Sequence, residues 1–219
     1  MSAEELFRGA IVVAIFLLIA FPVHEFSHAW VAYRLGDSTA RWQGRLSLNP
    51  IVHFDPLGGT LLAISVLLLG FGFGWAKPTP VNPYNLRYGR RGEALVAVAG
   101  PISNLVMAVA VALPLRFIYA DDSMWATVQG NAIALEVFGI AVTFVVVDLA
   151  LLVFNLLPIP PLDGWRALLG LVNARTAMNL RQFEQYGFLA IVLLIVVAPR
   201  FLSTVVFGLA GVLLGIPIT

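Results

Sequence analysis

Three apolar runs, residues 9–33, 93–118 and 132–157, constrain this chain more than any other feature. As helices rising about 1.5 Å per residue, each would be about 37 Å long, more than the ~30 Å hydrocarbon layer of a bilayer. The composition agrees. Of 219 residues 60% are apolar and 11% charged, against about 25% charged in a soluble domain, and the mean hydropathy is +0.92. That excludes a disordered chain and argues against a water-soluble globule. A formal net charge of +1 leaves no basic surplus for nucleic acid. With no cysteine, disulfides, thiolate zinc sites and iron–sulfur clusters are excluded.

The expected fold is an all-α polytopic membrane protein of about five transmembrane helices. It forms one domain over 1–219, with a core at 6–170 and a C-terminal helical hairpin at 185–219. The short apolar stretch 58–74, with Gly at 58, 59, 70, 72 and 74, is expected to be a re-entrant or hairpin segment. The first run is not read as a signal peptide, because Glu4 and Glu5 precede it and no small-residue cleavage site follows.

Residues 24–28 read His-Glu-Phe-Ser-His. On a helix, positions i and i+4 share a face, so His24 and His28 can bind one metal ion. Glu25 stands about 100° round the helix, where it reaches a metal-bound water rather than the metal. Two core histidines flanking a buried acid are the bland alternative. Ionisable groups inside a bilayer cost several kcal/mol and are mostly functional, which favours the metal. Pro22 removes the hydrogen bond to the Leu18 carbonyl, and reads equally as a kink that helps admit water or as a tolerated membrane proline.

A catalytic zinc takes three protein ligands and keeps a position open for water. Candidates for the third ligand are His53, Asp55, Asp148 and Asp163. Asp163 ends the stretch Asn155-Leu-Leu-Pro158-Ile-Pro160-Pro161-Leu162-Asp163-Gly164, whose prolines stop the preceding helix and hold an extended backbone. The backbone edge around Pro158 and Pro160 is a candidate for pairing with a substrate strand. The Asn155 amide is a candidate for holding a substrate carbonyl. His53 is either a substrate or water contact or a turn residue. Asn104, after Gly100-Pro101, reads as a packing residue.

HEFSHAW (24–30) and NLLPIPPLDG (155–164) resemble the two motifs of the site-2 protease family of intramembrane zinc metalloproteases, in its short form. GDSTARWQGRLSLNP (36–50), HFDPLGG (53–59), GWAKPTPVNP (74–83) and AGPISN (99–104) resemble blocks of one bacterial branch. The resemblance covers most of residues 20–170. It implies one Zn²⁺ per chain held by His24, His28 and Asp163, with Glu25 as catalytic base and Asn155 near the substrate. It also implies a membrane-protein or peptide substrate, and a chain too short for PDZ or CBS domains. Asp148 departs from the branch, where a neutral residue, often Asn, is expected. Two other readings compete: a membrane metal transporter, which would need acids or histidines on several crossing helices, and a non-catalytic homologue that only retains membrane proteins. Zinc content together with peptide cleavage separates the three.

Topology follows from closing the site. Were 58–74 to cross fully, Asp163 would lie across the bilayer from His24 and His28. A segment that enters and returns, packed against the helix carrying the motif, brings them together. It also gathers ten of the thirteen Lys and Arg on one face, which is then expected to be cytoplasmic, with the active site near it and the N-terminus outside.

Overall fold

The computed structural model describes residues 3–69, 74–75 and 77–216. Its regular structure is helical, with no strand among the described residues. Helix α1 runs from Ala3 to Arg34, 32 residues. Within it, Phe16–Ala20 forms a π turn in which the Phe21 N–H donates to the Phe16 carbonyl. The cause lies two residues on. Pro22 has no N–H, and its ring crowds the carbonyl four residues back. A wider turn relieves the crowding, so the helix passes its proline without a break.

Helix α2 (Pro56–Leu69) has 14 residues, about 21 Å of rise, which is too little to cross. It packs on the first half of α1, upstream of the His-Glu-x-x-His turn on the same helix. A Cβ placed on Gly58 would run into Trp75, and one on Gly74 into Gly58 and Leu62. The Lys77 N–H donates to the His53 carbonyl at 2.9 Å. The chain therefore re-emerges beside the point where it entered. Residues 70–73 of the expected re-entrant segment lie outside the described residues.

Helix α3 (Arg90–Ala120) is the hub. It packs against α1, against α5 (Ala132–Leu156) and against α6 (Asp163–Leu171), while the short α4 (Asp122–Gln129) joins α3 to α5. Every fourth residue of α3 from Gly92 to Ala112 is buried: Gly92, Val96, Gly100, Asn104, Ala108 and Ala112. A stripe of mostly small residues lets backbones approach closely where lipid, not water, surrounds the bundle. Helices α7 (Ala174–Arg181), α8 (Gly187–Val197) and α9 (Pro199–Leu214) complete the chain. Val206, Ala210 and Leu214 of α9 join Ala108, Ala112, Val145 and Leu149 in the largest apolar cluster.

Among the described residues three helices, α1, α3 and α5, are long and apolar enough to cross a membrane. The run Ala174–Leu194 and α9 together make at most a fourth, bent by 77°. The described residues thus give three to four candidate spans, where about five were expected.

The segments between helices gather at one end of the bundle. Asp37, fully buried, accepts from the Asn82 N–H at 2.7 Å and the Asn85 amide at 3.0 Å. Burial alone would raise its carboxyl. The donors on it, the Thr39 hydroxyl and Asn85 amide and the N–H groups of Asn82 and Thr39, outweigh that and hold it below the usual carboxylate range. The Arg87 N–H donates to the Leu35 carbonyl at 2.8 Å, and the Arg90 guanidinium donates to the Val172 carbonyl at 2.6 Å. Single cysteines at Ser47, Asn85 and Asn173, in a chain with none of its own, are therefore expected to react with an impermeant thiol reagent from one and the same side. Labelling of Asn85 from the side opposite Ser47 would overturn this arrangement.

Candidate metal centre

His24 and His28 face α3 and α6 from adjacent turns of α1, and both are buried. Their Nε2 atoms are 3.1 Å apart, and each lies 3.1 Å from Oδ2 of Asp163. Asp163 opens α6 directly after the proline-rich turn. Gly164 fits the turn tightly against the end of α5, where a Cβ would meet the Leu156 and Leu157 carbonyls.

The far side of each imidazole has a hydrogen-bond partner. His28 Nδ1 donates to the Val96 carbonyl at 2.7 Å, and His24 Nδ1 donates to Oδ1 of Asn104 at 2.6 Å. With Nδ1–H spent in each ring, both Nε2 atoms carry lone pairs, and these converge with a carboxylate oxygen. Three electron-rich atoms so close repel one another unless a proton or a metal ion lies between them. Ligands of a tetrahedral zinc, with bonds of about 2.0–2.1 Å, stand about 3.3 Å apart. The 3.1 Å triangle matches one face of that tetrahedron, so the residues fit a zinc ion.

Glu25 is buried beside them. A ligand atom from each of His24, Glu25 and His28 lies within 4.8 Å of the others. Glu25 Oε2 accepts the Thr79 N–H at 2.7 Å, and its backbone carbonyl accepts the Thr79 hydroxyl at 3.0 Å. Pro78 and Pro80 have no N–H, so Thr79 is the one backbone donor in this stretch, and it is committed to the acid. A cavity of ≈ 580 Å³ opens over His24, Glu25 and His28, between Thr79 on one wall and Asn155 and Asp163 on the other.

The residues expected at the site divide clearly. His24, Glu25, His28 and Asp163 come together, and Asn155 lines the cavity while donating to the Leu151 carbonyl at 3.0 Å. His53, Pro158 and Pro160 do not line it. The His53 ring is buried and donates to the Ser47 carbonyl at 2.7 Å, fastening its own loop, and Pro160 packs on Gly187. Of the other third-ligand candidates, Asp55 caps α2 by accepting the Gly58 N–H at 2.8 Å. Asp148 is fully buried, as a residue on the Asn155 face of α5 should be, and accepts from the Asn104 amide at 2.7 Å. Asn104 and Thr79 were not legible as site residues. The signal for Asn104 was there: a polar side chain within the four-residue stripe of α3 must face the interior. Thr79 offered only its place between two prolines.

Residues 11–199 match the model of Peptidase family M50. The chain is 41% identical over 182 residues to "Putative zinc metalloprotease YwhC" of Bacillus subtilis (strain 168), covering 82% of this chain and 78% of that one. It is 33% identical over 180 residues to "Putative zinc metalloprotease Rip2" of Mycolicibacterium smegmatis, covering 82% of this chain and 64% of that one, so it spans less than two thirds of the mycobacterial relative. No solved structure matches.

Proposed function

Because this chain belongs to peptidase family M50, we propose that it is an intramembrane zinc metalloprotease, cleaving membrane-protein or peptide substrates within or near the bilayer. One observation carries the reading: the 3.1 Å triangle of His24, His28 and Asp163, with a tethered Glu25 beside it, over a cavity between membrane-length helices. The three triangle residues would hold one zinc ion per chain. Bound there, zinc would lower the pKa of a water toward 7 and polarise the scissile carbonyl.

The remaining work falls to the chain's own groups. Glu25 takes the proton from the attacking water and delivers it to the leaving amine. The Thr79 N–H, on one carboxylate oxygen, holds the acid in place and leaves the other oxygen for the proton. Asn155, which lines the cavity and gives one amide hydrogen to the Leu151 carbonyl, donates its other to a substrate carbonyl. A substrate enters as an extended segment, because a helix keeps its carbonyls bonded within itself. Bacterial relatives and the basic residues of the site end support a bacterial cell membrane with the active site toward the cytoplasm.

The test is zinc analysis combined with cleavage of a library of single-span membrane proteins, comparing wild type with Glu25→Gln. Wild type is expected to hold zinc and cleave. Glu25→Gln is expected to hold the same zinc and lose about 10²–10⁴-fold in turnover. Equal turnover by the two proteins would remove Glu25 from the chemistry. Zinc flux into proteoliposomes without cleavage would replace a protease with a transporter.

A further inference from the structure

We propose that Asn104 and Asp148 are positioning residues that decide which nitrogen of His24 is free to bind metal. The inference rests on the metal-binding reading above and extends it to two residues deep in the bundle. A neutral imidazole carries one proton, and only the bare nitrogen can be a ligand. For His28 the choice is made by backbone, since the Val96 carbonyl can only accept and so fixes the proton on Nδ1. For His24 the partner is an amide, which can present either its oxygen or its nitrogen. With the oxygen toward His24, Nδ1 keeps its proton and Nε2 is bare. With the nitrogen toward His24, the proton moves to Nε2 and the ligand is lost.

What orients the amide lies on its other side. Its nitrogen donates to Asp148 Oδ1 at 2.7 Å and lies 3.4 Å from the Ala20 carbonyl. A flipped amide would set its oxygen against both of these oxygens and its nitrogen against His24. The longer contact to Ala20 is weak, so Asp148 makes most of the choice. Packing does not explain Asp148. It is fully buried and its Oδ2 has no partner, an arrangement costlier than a leucine of similar size. The cost makes sense if the carboxylate is kept for its one strong hydrogen bond. The line from Asp148 through Asn104 to His24 thus joins α5, α3 and α1, and sets a tautomer on the third.

The chain has three histidines, so nitrogen NMR of the ¹⁵N-histidine-labelled, metal-free protein can resolve each ring, and chelator competition gives the zinc affinity. In wild type, the neutral His24 ring, reached by raising the pH of the metal-free protein, is expected to carry its proton on Nδ1. Asp148→Leu is expected to mix the two tautomers of His24, leave those of His28 and His53 unchanged, and weaken zinc binding about tenfold. Asp148→Asn can accept from the Asn104 amide but can also donate to it, so it is expected to fall between wild type and Asp148→Leu in both readouts. Asn104→Leu is expected to weaken zinc binding about 10–100-fold. A purely structural role would move melting temperature without moving the His24 tautomer. If folded Asp148→Leu keeps the wild-type tautomer and affinity, the inference is wrong. Wild-type protein that binds no zinc would instead defeat the proposed function, while the histidine spectra still decide the tautomer.

Discussion

Asp163→Ala is expected to leave the folded protein without stoichiometric zinc after dialysis and without measurable cleavage. Each imidazole of the triangle is built into two neighbours: α1 carries it and α3 holds its Nδ1. Asp163 arrives from α6, at the end of a proline-rich turn, and supplies the one negative charge of the three. Without it two neutral nitrogens remain, 3.1 Å apart, and a tetrahedral zinc has lost a protein ligand that no neighbour can replace. Asp55 and Asp148 are engaged elsewhere, and Glu25 is tied to Thr79. The loss should exceed the about 10–100-fold that removing an outer hydrogen-bond partner costs. Plasma-emission analysis of purified protein checks the metal, and circular dichroism checks that the helices persist. Full zinc in Asp163→Ala would mean the third ligand lies elsewhere.

Gly100→Ala is expected to be as damaging, although it adds one methyl group to a helix that would otherwise welcome it. In an exposed helix the change stabilises by about 1 kcal/mol. Here the new Cβ would collide with His28 Nε2 and stand 2.6 Å from His24 Nε2, the two nitrogens of the proposed metal site. Neither the helix backbone nor the rings can give way without breaking the Asn104 and Val96 hydrogen bonds. Overpacking of this kind costs about 1–3 kcal/mol, and the strain falls on the ligands. The expected result is a folded protein with little zinc and no turnover. Gly139→Ala is the control, since nothing lies within 4 Å of a Cβ there, and it should keep its zinc. Normal zinc in Gly100→Ala would mean that α3 does not approach the histidines this closely.

Much of this arrangement is written in short-range pattern. The i, i+4 spacing of His24 and His28 and the acid between them follow from helix geometry alone. So does the burial of Asp148, seven residues from Asn155. The re-entrant course of α2 followed from requiring His24 and Asp163 to meet. Other features depend on contacts between distant segments, which no local pattern records. Thr79 reaches Glu25 across 54 positions of sequence, and Asn104 reaches His24 across 80. His53 looked like a ligand or substrate contact because histidine is rare here, but its loop uses the ring as a brace. Of the two readings of Pro22, a kink or a tolerated proline, the adjoining π turn favours the second.

The incomplete course of α2 makes lipid part of the protein's dimensions. A 14-residue helix is about 9 Å shorter than the acyl layer of an average bilayer. Acyl chains on that flank must either fill the missing length or draw inward, at a cost of fractions of a kcal/mol per Å of mismatch. The membrane beside α2 is thus biased toward being thin. A thin leaflet shortens the distance that water travels to a histidine pair about 9–15 Å from the Arg34 end of α1. Bilayer thickness then stands beside sequence as a determinant of how wet the centre is.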